Sequence, residues 1–215
     1  MNATDDPATA APGLRERKKL ATREAVRAAT VRLTEQHGIG DVTVEMIARA
    51  ADVSVRTFFN HFPSKEEAVL DVVRTRAAVL IEEFRRRPPE EPLLDAVREA
   101  ALTVIDRDDA LGRVHLVALR LVRDTPTLRA HEMAVLAEQE AALAGAITVR
   151  LGVDPASDTR SVVAAAAALS TLRIALDRWL ARPDGDLRGT GAVRSGLAAE
   201  IDDAFAALVH MVERP

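Results

Sequence analysis

GIGDVTVEMIARAADVSVRTFFNHFPSKE, residues 38–66, reads as two short helices joined by a tight turn and followed at once by the capped start of a third. Thr43 precedes VEMIARAA, so its hydroxyl is placed to accept from the free amides of a first helical turn, and Ile47, Ala48 and Ala51 recur at helical spacing. Asp52 stands where the turn requires a residue with positive φ, a region that Asn and Asp tolerate best after Gly. Ser54 then caps a second short helix, Val55 to His61, and Phe58 and Phe62 fall four residues apart on the face that can pack against the first.

That packing leaves Arg56, Thr57, Phe59, Asn60 and His61 for a partner outside. Donors and acceptors of these types on a short exposed helix suit base edges and phosphate oxygens in a DNA major groove. Ser64 caps the next helix and Lys65 opens it, where free amides and a mobile charge converge as a phosphate clamp. Upstream, Arg15, Arg17, Lys18, Lys19 and Arg23 form a basic arm leading into the first helix. His61 alone is more often structural than functional, and the basic run alone is as easily a solvated face; their joint register carries the DNA reading.

Residues 14 to 70 resemble the DNA-binding domain of the TetR family of bacterial transcriptional regulators. The resemblance rests on Gly38, Thr43, Ile47-Ala48, Ala51, Val53-Ser54, Thr57-Phe58-Phe59, His61-Phe62 and Ser64-Lys65-Glu66, in unbroken order. It implies a homodimer that binds a palindromic double-stranded DNA operator, usually represses, and lets go when a small molecule enters the C-terminal domain. Carried over by position, the DNA-contact candidates are Thr43, Ser54, Val55, Arg56, Thr57, Phe59, Asn60, His61 and Lys65. The chain departs from the pattern at Asp52, where Gly is common, at Thr34, where an apolar or aromatic residue is usual, and at Val55, a frequently polar or basic position. Val55 can meet a thymine methyl or remove one phosphate contact, and Glu45 is expected to face DNA without adding affinity.

Charge is distributed to match. The net charge of −4 over 215 residues would argue against nucleic acid if it were even. Residues 14–65 instead hold 10 Lys/Arg against 6 Asp/Glu, and residues 66–215 hold 19 against 25, so the positive charge sits on the motif. The chain has no Cys, which excludes disulfides, thiolate chemistry and zinc fingers and fits the reducing cytoplasm. No apolar run approaches the ~20 residues of a membrane span, so no membrane partner is expected, and residues 1–13 read as a polar disordered tail.

Beyond the motif the pattern predicts helices separated by breakers, hence an all-α chain: a helix-turn-helix three-helix DNA-binding domain at 14–64, then a helical ligand-binding and dimerisation domain at 65–215. Lys65 to Arg86 carries a broad apolar stripe that RRRPPEEP ends. LLDAVREAALTVID follows, then helices over roughly 109–123, 127–151, 159–181 and 191–213, by breakers at Pro126 and Gly152. The small residues of VVAAAAALSTLRIAL and the spacing of Leu197, Ile201, Phe205, Leu208, Val209 and Val212 suit a homodimer through the last two helices, or a plain intramolecular core.

Between these helices Leu94, Val97, Leu102, Leu116, Leu119, Met133, Leu136, Leu172, Leu176 and Trp179 can enclose an apolar pocket, with His115, Arg120, Arg123 or His131 orienting a hydrophobic or amphipathic effector, although Trp179 can instead bridge the last helices. Asp106, Asp108 and Asp109 read as loop and N-cap carboxylates rather than a metal site, and no cofactor is implied. With no Cys, no Tyr and no nucleophile-elbow Ser, and with PDGDLRGTG lacking the strand and Lys of a phosphate loop, an enzyme is disfavoured. The remaining alternative is an all-helical interaction module using Phe59 and Phe62; steep salt dependence would distinguish DNA binding from it.

Overall fold

The computed structural model describes residues 13–106, 110–154, 158–182 and 190–213, and over these the chain is all-helical. It divides into two compact units, Met1–Ala68 and Val69–Pro215.

The first unit holds α1 (Leu14–His37), α2 (Val44–Ala50), α3 (Val55–His61) and the opening turn of α4 (Lys65–Arg86). The Arg17 amide already donates to the Gly13 carbonyl at 3.0 Å, so the basic segment expected as an arm is the first turns of α1 itself. Arg, Lys and Leu are good helix formers, and no breaker follows Gly13 to delay the helix. Gly38 ends α1 at φ 77°, its amide donating to the Thr34 carbonyl. Val26, Ala29, Val42, Ile47, Phe58, Phe62 and Ala68 form one buried core. Ala68 explains where the units divide: the first turn of α4 is spent on this core, so the division falls after Ala68 and not at the expected 64/65 boundary.

The second unit comprises the rest of α4, α5 (Leu93–Asp106), α6 (Ala110–Asp124), α7 (Pro126–Leu151), α8 (Arg160–Leu180) and α9 (Thr190–Glu213). Pro126 occupies the first turn of α7, where its missing N–H costs nothing, and Gly152 closes the helix in the left-handed region at φ 62°. After α4 the turn is held by Arg87, which donates to Glu91 at 2.7 and 2.6 Å, and by Arg150 of α7, which donates to the carbonyls of Arg87 and Glu91 and lies over the Phe84 ring.

Helix α8 packs against both α7 and α9, and α5 against α9. A Cβ on Gly196 would come within 3.2 Å of Trp179 Nε1, so glycine there permits the close α8–α9 approach. Glu200, almost fully buried, is neutralised by Arg178 at 2.9 Å and by Arg182. Leu197, Ile201 and Phe205 are buried in this core, which assigns three of the apolar positions considered for a dimer contact to the protomer's own interior. Among the described residues, the large exposed apolar side chains of this pair are Val162, Val163 and Ile174 on α8 and Met211 on α9.

Among the described residues there is no cluster of His, Asp and Glu able to hold a metal, and no helix long and apolar enough to cross a membrane. Asp108 and Asp109, residues 1–12 of the tail and residues 183–189 of the PDGDLRGTG segment lie outside the described residues.

Candidate nucleic-acid interface and ligand cavity

Two local devices build the first site. The Thr43 hydroxyl accepts from the Met46 amide at 3.3 Å and caps α2. Ser54 Oγ accepts from the Thr57 amide at 3.0 Å and shares a 2.8 Å hydrogen bond with Thr57 Oγ1, capping α3. Between them Asp52 adopts φ 53°, the left-handed conformation its position in the sequence calls for, while the Val53 amide reaches back to the Ala48 carbonyl. The turn is therefore closed by backbone, and α3 leaves it in a fixed direction.

Phe58 is fully buried, with its ring 6.0 Å from Phe62 and edge-on to Phe59 at 5.4 Å. Anchoring that face inward presents the other: Ser54, Arg56, Phe59 and Asn60 are exposed, and Val55, Thr57 and His61 half-buried. Phe59 stands 54 % exposed, a large aromatic surface without a core role. From α1, Arg23 lies over the Phe62 ring at 4.8 Å, and Arg23 and Lys19 bear on His61. His61 consequently has a pKa below the ordinary histidine value, from burial first and then from these two cations.

Lys65 is arranged differently from a free charge at a helix start. Its Nζ donates to the carbonyls of Ile39 and Val42 at 2.5 and 2.7 Å, committing two of its three donors to the chain entering α2. The signal that could have foretold this is Gly38, which turns the chain and leaves loop carbonyls after α1 in need of a donor. The Ser64 hydroxyl caps α4 as expected, accepting from the Glu67 amide at 3.1 Å.

The second unit encloses a cavity of about 700 Å³ lined from six helices. Its apolar wall includes Val73 and Leu80 of α4, Val104 of α5, Leu116 and Leu119 of α6, Leu136 of α7, Leu169, Leu172 and Leu176 of α8, and Leu197 and Ile201 of α9. Of the ligand-contact candidates, His115, Arg123, Leu172 and Leu176 line it. Arg120, Met133 and Trp179 do not: Met133 is 68 % exposed, and Trp179 is buried against Gly196 between α8 and α9. Leu94 and Val97 belong to the surrounding core, as does Leu102.

Sequence reasoning missed most of the polar lining: Arg76, Arg113, Arg129, Glu132, Gln139, Arg173, Asp177 and Arg194. A signal was present for two of them. Glu132 and Gln139 share the helical face of the buried Leu128, Val135 and Leu143, and polar residues on a buried stripe call for polar company. Burial pushes the Glu132 carboxyl above its ordinary pKa, Asp177 adds to the rise, and Arg129 and Arg173 oppose it. Arg173 and Asp177 pair at 3.7 Å, and Arg76, a buried cation of α4, donates to the Val104 carbonyl.

The profile of the bacterial regulatory proteins of the tetR family matches residues 26–72, and that of the MftR C-terminal domain matches residues 91–212. The HTH-type transcriptional regulator TcmR of Streptomyces glaucescens is 35 % identical over 94 % of this chain and 95 % of that protein. Among solved structures, Thermus thermophilus FadR, a TetR-family repressor in complex with lauroyl-CoA, superposes with a TM-score of 0.53 at 24 % identity, covering 87 % of this chain and 93 % of that one. SmeT, the repressor of the Stenotrophomonas maltophilia multidrug efflux pump SmeDEF, gives a TM-score of 0.55 at 18 % identity over 88 % and 91 %, and its triclosan complex 0.54 at 19 % over 87 % and 91 %.

Proposed function

The chain belongs to the TetR family of bacterial transcriptional regulators, and on that premise we propose that it is a homodimeric repressor, held on a palindromic operator by α3 and released when a small amphipathic molecule fills the cavity of the second unit. The observation that carries the DNA part is the presentation of α3. Phe58 and Phe62 anchor one face in the core, while Arg56, Phe59 and Asn60 stand exposed on the other. In this reading Arg56, Asn60, Thr57 and Val55 meet base edges, and Thr43, Ser54, Phe59 and His61 meet backbone and sugar. Lys65 supports them by holding the chain before α2 and offers its remaining donor to a phosphate.

Dimerisation is supported by the exposed apolar side chains of α8. Val163 and Ile174 are eleven residues apart, hence on one helical face, and Met211 adds to the same class of surface on α9. A symmetric pair would present two copies of α3 one DNA turn apart, ~34–36 Å. The release mechanism runs through α4: Val73, Arg76, Ala77 and Leu80 line the cavity, and the same helix opens with the turn that completes the core under α3. A ligand that binds one dimer geometry better by about 1–3 kcal/mol gives a typical allosteric coupling.

Selection of binding sites from a random duplex pool tests this reading. An enriched palindrome, bound with log K falling by about 0.9 per phosphate neutralised as log salt rises, is the expected result. No enrichment at low salt would remove the regulator reading and leave the exposed Phe59 to a protein partner.

A further inference from the structure

We propose that the cavity takes an amphipathic anion, gripped by an oxyanion at Arg123 and a second oxygen acceptor at Gln139. This rests on the reading of the cavity as the effector site and adds the chemical class of its ligand.

The geometry of Arg123 is the starting point. Its Nε and Nη2 donate to the neighbouring Asp124 carboxylate at 2.8 and 3.4 Å, so one edge of the planar guanidinium is committed. Nη1 then lies on the opposite edge. Arg123 lines the cavity and Asp124 does not, and Nη1 is buried with no hydrogen-bond partner among the described residues. Gln139 Nε2, on another lining helix, is in the same condition. Buried donors without acceptors are expensive, a charged one most of all, and in native proteins they mark places where something else accepts. An apolar neutral ligand would leave both unmatched. A ligand with an anionic oxygen at one point and a carbonyl, hydroxyl or sulfonyl oxygen at another matches both.

Charge selects in the same direction. The lining carries six arginines against two carboxylates, and one of these, Asp177, already pairs with Arg173. This excess of positive charge along the lining favours an anion and opposes a cation. The apolar wall and the volume of about 700 Å³ fit a body of drug or lipid size.

The test uses the full-length protein without DNA and two matched probes, 11-(dansylamino)undecanoic acid and its methyl ester, titrated by dansyl fluorescence. The carboxylate is expected to bind about tenfold tighter than the ester or more, the usual weight of a charge-assisted hydrogen bond. Arg123→Met is expected to abolish that preference while leaving ester affinity unchanged, and Arg123→Lys to keep part of it. Gln139→Leu should weaken both probes alike. Arg85→Met, which removes an exposed charge of α4 outside the cavity, should leave the preference within twofold. Equal affinity for acid and ester overturns the anion class, and a preference that survives Arg123→Met overturns the assignment to Arg123, while the effector reading stands in either case. Binding of neither probe overturns both.

Discussion

Replacing Phe58 by Ala asks whether α3 is held by its buried face, which is what leaves the other face exposed for the proposed DNA contact. The side chain is fully buried, and its ring contacts those of Phe59 and Phe62 at 5.4 and 6.0 Å. Burying a phenylalanine removes roughly 150 Å² from water, worth ~4 kcal/mol at ~25 cal/mol per Å². The alanine left behind retains part of this, whereas the cavity adds to the loss, so about 3–5 kcal/mol is expected. In a unit this small that corresponds to a fall in melting temperature of about 15 °C or more. Phe59→Ala is the matched control: the same ring is removed from a position 54 % exposed, and the loss should stay below about 1 kcal/mol. Circular dichroism at 222 nm follows both units, and the fluorescence of Trp179, the single Trp and buried in the second unit, reports that unit alone. The phenylalanine effect should appear in the first signal and spare the second. Equal destabilisation by the two substitutions would refute the assignment of faces on α3, and with it the presentation of the proposed DNA-contact residues.

Three further perturbations separate roles that share the first unit. Lys65→Met leaves the carbonyls of Ile39 and Val42 without their charged donor and should cost about 1–3 kcal/mol in urea denaturation; weaker DNA binding with unchanged stability would make Lys65 a phosphate clamp and nothing more. Asp52→Gly, at φ 53°, should alter stability by less than about 1 kcal/mol, whereas Asp52→Val should lose about 1–2 kcal/mol because a branched side chain resists the left-handed region; equal values for the two would remove the strain argument. His61 titrates below its ordinary value in the free protein because of burial and the cations Arg23 and Lys19, and a DNA phosphate beside it would raise that value again. Binding then takes up a proton, so affinity should rise as pH falls below the bound-state pKa and level off below the free-state pKa, by up to about tenfold per unit between them; parallel pH profiles for wild type and His61→Gln would discard this contact.

Much of the architecture was legible in the chain because it depends on interactions within a few residues. Thr43, Ser54 and Ser64 each accept from an amide three residues on, Asp52 takes the conformation its place in the turn demands, and Pro126 and Gly152 bound α7 as start and stop signals do. The helix α4, Lys65–Arg86, and the helix α5, Leu93–Asp106, likewise follow directly from stripe and breaker. Such features survive any tertiary arrangement. The faces of α3 were also readable, since spacing alone puts Phe58 and Phe62 on one side.

What the tertiary structure decided is which of several equally apolar or equally charged residues faces what. Met133 and Leu136 lie on the same short stretch of α7, and only the packing of α6 and α8 around it sends the first to solvent and the second into the cavity. Trp179 reads in sequence either as a pocket wall or as a bridge between the last helices, and the packing takes the second, seating it beside Gly196 where a Cβ would crowd its ring. Lys65 and Arg123 carry long side chains whose direction no periodicity specifies; each is aimed by acceptors, distant carbonyls for the first and an adjacent carboxylate for the second. Sequence by itself therefore determined the helices, their caps and the DNA-reading module, all products of local hydrogen bonding and period. The cavity and the chemistry of its lining arose only when six helices, distant in the chain, were brought to a common interior, since burial and the pairing of buried polar groups are properties of that assembly.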